Sequence, residues 1–450
     1  MHSSAYMLTC IGASVAMLVL LTVKARLHPF FALTLSALAF GIAVGLDVNA
    51  VMDAYAGGLG ATISGIGIVI AIGTVMGALM ERSGSAEKMA ETMLKLTGPK
   101  HAGLGLAATG YFVSIPVFSD SAFVLLAPLA KRLSRDTGRS MTLMAVALAM
   151  GLHATHMLVP PTPGPLSVAG ILGADLGIVI LLGMLVSIPV VAIALLAGGI
   201  LGRRYHFLPE DLPPQEIAMR HRLPGALEAF LPIIVPICLM LVRTIGGLDS
   251  RPFGDGAFYR ISHALGHTVI ALLIGLAIAF ATHVRLNPSD RKVWTFDGAF
   301  GDALKTAGQI VLIVGAGGAF AAVLKLSNLD AIVKDTFSGV SAGLLVPFAI
   351  GALFRTAIGS GTVGMITAAS MLLPLLDTLG FASPLGRVIA MLACASGGFM
   401  VFHGNDDFFW VVTSTSGMKP GIAYRVLPLV SILQALTSLA VVYALKLALL

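Results

Sequence analysis

Gly151-Leu-His153-Ala-Thr-His156-Met-Leu-Val-Pro160-Pro-Thr162-Pro-Gly-Pro165 is the stretch that decides the fold. It prolongs an apolar run that begins at Met141 and then loses the ability to be a helix. Four prolines in the six residues from Pro160 to Pro165 remove amide donors and crowd the preceding carbonyls, so the helix is expected to unwind there. In a bilayer, unwound backbone is tolerated only inside protein or beside a water-filled cavity. A helix broken at membrane depth therefore marks a site.

The composition supplies the bilayer. Of 450 residues, 57% are hydrophobic and only 11% charged, and the mean hydropathy is +0.94. These values belong to a polytopic membrane protein. Much of the glycine and proline lies within apolar segments, as in closely packed, interrupted membrane helices. The net charge of +6 then reads as lysine and arginine of cytoplasmic loops and not as a nucleic-acid surface. Cys10, Cys238 and Cys394 are far apart in apolar runs, and neither a disulfide framework nor a metal motif follows from them.

Outward from that stretch, the first half contains spans at Ala5 to Val23, Pro29 to Leu46 and Thr62 to Met80. No basic residue precedes the first, which is read as a retained span and not a cleaved signal. Lys24 and Arg26 follow it, so the positive-inside rule puts its start outside. A polar amphipathic interval carries Lys88, Lys95 and Lys100. Ala102 to Pro116 and Ala122 to Ala130 are each too short to cross, since a crossing takes about 20 residues. Basic residues flank both outer ends, so residues 102–130 read as a re-entrant hairpin whose tip, Val117 to Ser121, lies within the membrane. The broken helix, 141–174, and Leu176 to Leu201 complete the half.

A polar linker, 203–227, separates this half from one that follows the same plan. Spans at Glu228 to Gly246, Ile261 to Thr282 and Gln309 to Leu326 precede a second hairpin, 344–376, with its tip at Ile358-Gly-Ser-Gly-Thr362. A second broken helix, 386–415, is interrupted at Gly397-Gly398 and from His403 to Asp407. Ala423 to Leu450 ends outside. Asp53, Gly57 and Thr62 recur at the same spacing as Asp297, Gly301 and Thr306. The fold expected is thus an all-α polytopic membrane protein. Residues 1–202 and 228–450 form two repeats, each with five transmembrane helices (one broken) and a re-entrant hairpin. An odd number of crossings per repeat makes the repeats inverted, the plan of secondary transporters.

Four motifs resemble the gluconate permease (gluconate:proton symporter) family within the wider ion-transporter superfamily. They are His156-x-x-Val-Pro-Pro-Thr-Pro-Gly-Pro165, Pro116-Val-Phe-Ser-Asp120, Arg355-x-Ala-x-Gly-Ser-x-Thr-Val363 and His403-x-Asn-Asp-x-x-Phe-Trp410. The resemblance covers nearly the whole chain. It implies proton-coupled uptake of a sugar acid, usually by a homodimer in a bacterial-type inner membrane. The chain departs from the family pattern at Ile358, Asp407 and Ser119, where Gln, Ser and Phe are usual.

The candidate site residues each carry two readings. Asp120 at the first hairpin tip is either a helix N-cap or a group that binds substrate or proton; Ser119 and Ser121 share the ambiguity. Ser360 and Thr362, next to Gly359, either cap the second leg of their hairpin or open its amides to a carboxylate. Arg355 either holds a substrate carboxylate bidentately or pairs with Asp406 or Asp407. Asn405, Asp406 and Asp407 follow His403 at the second break; one of them is expected to cap the next helix. His156 is a proton carrier or a hydrogen-bonding brace, and His153 is read as a brace. Thr162, within the first break, Gly359 and His403 join the substrate contacts. Proton coupling is assigned to Asp406, Asp407, His156 and Asp120, with Asp406 the favoured carrier because it matches the family position.

No nucleophile–base pair and no metal cluster appears at recognisable spacing, which argues against an embedded enzyme; no cofactor is expected. A channel would also use helix ends and polar tips, but paired inverted hairpins favour alternating access. The expected substrate is gluconate or a related sugar acid or hydroxycarboxylate; D-serine or a short hydroxy acid is the alternative.

Overall fold

The computed structural model describes residues 4–209, 222–247, 252–254, 256–327 and 343–450. Every regular element among them is helical: α1 (Ser4–Val19, prolonged by a π-turn to Lys24), α2 (Pro29–Ala43), α3 (Val48–Arg82), α4 (Ser85–Thr97), α5 (Ala102–Val113), α6 (Ser119–Thr137), α7 (Met141–Leu158), α8 (Pro163–Leu172) and α9 (Leu176–Arg204). The second half gives α10 (Ala226–Gly246), α11 (Ala257–Leu265), α12 (Thr268–Leu286), α13 (Ala299–Leu326), α14 (Leu345–Ile358), α15 (Gly361–Leu372), α16 (Pro384–Gly397), α17 (Asp407–Ser416) and α18 (Pro420–Leu449). Residues 210–221 of the expected linker lie outside the described residues.

Polar side chains start the long helices where the sequence supplies them. Asp47 accepts from the Ala50 amide at 3.0 Å, Ser140 from Thr142 at 3.2 Å and Asp175 from Ile178 at 2.9 Å, each satisfying an amide that has no partner within its helix. Among the described residues, seven spans are long and apolar enough to cross a membrane, the pair α7–α8 being one of them. The chain is a multi-pass membrane protein. In the α7–α8 span 94% of the residues in its 18-residue apolar window are buried, against 33% in the corresponding windows of α10 and α12. The broken helix is therefore sheltered by protein, and α10 and α12 offer their apolar sides outward.

Contacts come in matched pairs. α5 packs on α7 as α14 does on α16; α7 meets α9 as α16 meets α18; α6 touches α17 as α15 touches α8; α1 lies on α2 as α10 lies on α12. At the centre α3 crosses α13. A Cβ on Gly58 would stand 2.6 Å from the Ala322 methyl and 2.8 Å from the Gly318 carbonyl oxygen. Only glycine lets these two backbones meet.

Several boundaries differ from the sequence reading. α3 and α13 extend well beyond 62–80 and 309–326, and the span expected over 261–282 is divided at Gly266-His267 into α11 and α12. The second leg of the first hairpin starts at Ser119 and runs to Thr137, past the expected limit at 130. Its basic residues continue the helix on a polar face and do not end it. The unwinding is also narrower than expected: only residues 159–162 leave the helix, because Pro163 starts α8 at a position where an amide would have no acceptor.

Candidate functional site at the two helix breaks

At the first break Pro160 and Pro161 have no amides to give the carbonyls of the preceding turn. The Thr162 hydroxyl substitutes, donating to the Val159 carbonyl at 2.7 Å with a longer contact to that of His156 at 3.2 Å. A hydroxyl thus replaces the missing helical donors where the backbone is buried in protein. Thr162 is 3% exposed and lies outside the walls of the cavity described below. In this arrangement its hydroxyl braces the backbone of the break.

The second break spans residues 398–406 and is tied to its surroundings. Ser431 of α18 accepts from the Phe402 amide at 3.0 Å, and Trp410 donates its indole N–H to the Gly404 carbonyl at 2.9 Å. Asp406 caps α17 by accepting from the Phe408 amide at 2.8 Å. Asn405 reaches the tip of the second hairpin, donating to the Thr356 carbonyl at 2.8 Å. There Gly359 has φ +86°, and a Cβ on it would overlap the Asn405 backbone. The hairpin tip and the helix break touch, and Gly359 is what permits it.

Arg355 is held between these two pieces. Its guanidinium is 1% exposed; Nη1 donates to the Gly359 carbonyl, Nη2 faces the Asp406 carboxylate as an ion pair, and the ring of Phe402 lies 5.6 Å away. Nε has no hydrogen-bond partner. Of the alternatives for Arg355, the ion pair is thus the arrangement present. A bidentate fork open to a carboxylate is not, because Nη1 and Nη2 are both engaged.

A cavity of about 490 Å³ opens beside this pair. Its walls bring together Ser119 and Asp120 of α6, His153 and His156 of α7, Arg355 of α14, Ser360 and Thr362 of the second hairpin, and Asn405, Asp406 and Asp407. Ser121, Gly359 and His403 stay out of it, as Thr162 does. Asp120 sits in the first turn of α6 beyond Phe118, which occupies the cap position, so the expected capping role is not the one found. Ser360 does cap α15, accepting from the Val363 amide at 3.4 Å. Ser119 turns towards the Ser114 hydroxyl at 3.1 Å.

His153 is corrected as well. Its Nε2 has no hydrogen-bond partner, and the ring stacks on Phe402 and Phe408 with centroids 5.4 and 6.1 Å away and meets Phe399 edge-on at 5.3 Å. It packs as an aromatic ring, not as a brace. His156 faces Phe118, and its Nδ1 is likewise without a partner. No group of residues able to hold a metal ion occurs among the described residues. Sequence reasoning missed Thr306 and Gln309 of α13, which line the cavity with Ile310 and Ile313. The available signal was Thr306, which falls in the internal repeat.

Comparison with known proteins agrees with this architecture. The chain is 31% identical to the gluconate permease of Pseudomonas aeruginosa over 94% of both chains. It is 31% identical to the D-serine transporter DsdX of Escherichia coli K12 over 93% of both. The crystal structure of the YdaH transporter of Alcanivorax borkumensis superposes with a TM-score of 0.66 at 15% identity, covering 92% of this chain and 97% of that one; this likeness concerns the fold. Such relatives are permeases and transporters, not enzymes. With residues 6–448 matching the sequence pattern of the GntP family permeases, the chain belongs to that family.

Proposed function

We propose that the protein is a proton-coupled symporter that takes up gluconate or a related sugar acid or hydroxycarboxylate across a bacterial-type inner membrane. The observation that carries this reading is the meeting of both halves at one cavity. Groups from α6, α7, the second hairpin and the second break face each other there, as binding sites of secondary transporters do at repeat interfaces.

Residues 1–202 and 228–450 are read as inverted repeats joined by the linker 203–227, with both termini outside. The matched contact pairs support this. The hairpins are read as re-entrant, a reading supported for the first by the basic residues at both of its outer ends, Lys95 and Lys100 before it and Lys131 and Arg132 after it. Hairpins and broken helices would move together, elevator-like, against a frame containing α3 and α13, in a protomer that pairs as a homodimer. Asn405, Ser360, Thr362 and Ser119 are the substrate contacts favoured by their position, with Arg355 acting through its Nε and its charge. Asp406 is committed to Arg355 and to the α17 cap. Proton binding therefore moves towards Asp120 and Asp407, which face the cavity without a basic partner among the described residues, with His156 beside them.

A second reading, D-serine or a short hydroxy acid as substrate, is favoured by those same two carboxylates. Uptake into proteoliposomes under an inward proton gradient tests the class. A symporter concentrates labelled gluconate or a C3 to C6 hydroxycarboxylate above the external level. Mere equilibration would indicate a channel, and a product of altered mass an enzyme.

A further inference from the structure

α11 is a helix that the crossing after it does not need. α12 alone has 19 residues, about 28.5 Å at 1.5 Å per residue, which nearly matches a hydrocarbon core of about 30 Å. The nine residues of α11 therefore stand at the level of the lipid headgroups. They are held closely against the end of α10. A Cβ on Gly266 would meet the Leu239 carbonyl and the Arg243 side chain at 2.4 Å, and one on Gly246 would lie 3.5 Å from the Tyr259 ring. Around its axis α11 divides into three sides. Ser262 is buried, as is Gly266 just beyond it, on the side of α10. Phe258, Ile261 and Leu265, spaced by three and four residues, form an apolar edge, 62%, 58% and 40% exposed. Arg260 and His263, with His267 following, form a basic edge that is exposed as well.

We infer that α11 is embedded in the headgroup layer of the membrane, its apolar edge among the first carbons of the acyl chains and Arg260 on phospholipid phosphates. The apolar edge continues a surface that lipid already covers: α11 packs on both α10 and α12, whose apolar windows are only 33% buried. Left in water, three large apolar side chains side by side would be an unfavourable patch. The basic edge next to it completes the pattern of an interfacial helix. An arginine there lays its stem along the apolar surface and carries its guanidinium out to the phosphates. No carboxylate lies within ion-pair distance of Arg260 among the described residues. A second copy of this face is a poorer cover, because a two-fold pairing brings the same arginine to the seam from both sides. Since α12 packs along α3, anchoring α11 also sets the depth of α3 in the bilayer.

Spin labels placed one at a time test this in the full chain, reconstituted into vesicles of phosphatidylethanolamine and phosphatidylglycerol with Cys10, Cys238 and Cys394 replaced. Labels at Phe258→Cys, Ile261→Cys and Leu265→Cys should be relaxed strongly by oxygen, which concentrates among acyl chains, and weakly by a water-soluble nickel chelate. Labels at Arg260→Cys and His263→Cys should show the reverse, so that the oxygen-to-nickel ratio alternates with the helical period. All five positions are exposed, so the substitutions leave the packing of the helix intact. Arg260→Glu, which phosphates repel, should lift the helix and lower the ratio at Ile261→Cys. Nickel access at all five positions would place α11 in water, and access of neither reagent to the apolar edge would mean that a second copy covers it. Either result would overturn the inference, and an unchanged ratio in Arg260→Glu would overturn the phosphate contact.

Discussion

Arg355, in the last turn of α14, and Asp406, the cap of α17, form an ion pair with side chains only 1% and 8% exposed. The pair joins the tip of the second hairpin to the second helix break, two elements that the chain separates widely. Breaking a buried pair by removing one member leaves a charge without compensation, which costs about 3–5 kcal/mol. Asp406→Asn and Arg355→Ala are therefore each expected to lower the melting temperature markedly. Arg355→Lys should also fall short, because an ammonium cannot serve Gly359 and Asp406 in the same fork geometry. Thermal unfolding in detergent, monitored with and without substrate, checks both. A wild-type melting temperature for either single removal would show that the pair contributes nothing.

The first break gives a prediction of a different kind. Thr162→Val keeps the shape of the side chain but leaves the Val159 carbonyl unsatisfied, at a cost of about 1–3 kcal/mol. The melting temperature should fall while substrate KM stays near that of the parent. A large rise in KM at unchanged stability would return Thr162 to the substrate contacts.

Gly359 is expected to accept no side chain. At φ +86° a residue with a Cβ costs roughly 1–2 kcal/mol in backbone strain, and here the added carbon would also meet the Asn405 backbone. Gly359→Ala should separate the hairpin tip from the break and abolish uptake, even where folded protein is recovered by size exclusion. Uptake at parental rates would mean that the tip and the break need not touch.

Relative movement can be tested by tethering. A Cβ placed on Gly170 of α8 would lie 3.2 Å from the Ile66 Cβ of α3, close to the usual disulfide spacing of about 3.5–4.5 Å. In a background with Cys10, Cys238 and Cys394 replaced, the pair Ile66→Cys and Gly170→Cys should crosslink on oxidation. Uptake should stop and return on reduction. Full uptake by the crosslinked protein would contradict a moving α8.

Much of this arrangement was legible in the sequence, for physical reasons that differ between elements. The prolines from Pro160 to Pro165 admit no uninterrupted helix, so the first break could be read directly, although N1 tolerance of proline let Pro163 rejoin the helix earlier than expected. Arg355 stood out because a cation in an apolar leg needs a partner; which partner it takes depends on packing between distant segments. The aromatic surroundings of His153 were hidden for the same reason, since Phe399, Phe402 and Phe408 come from the other half. Gln309 lay in a helix whose apolar pattern gives no sign of which polar side chain turns inward. The division at Gly266-His267 was missed because the apolar side chains of the amphipathic Ala257–Leu265 run on into the apolar helix from Thr268, although Arg260 and His263 mark the first piece as different.

The central claim is that substrate and proton enter together through the cavity beside Arg355 and Asp406. Proteoliposomes loaded with a pH-sensitive dye and held without an imposed gradient test it most directly. Adding the transported substrate outside should acidify the lumen, and Asp120→Asn should abolish acidification while substrate exchange persists. Substrate entry at full rate with no change in luminal pH would contradict the account.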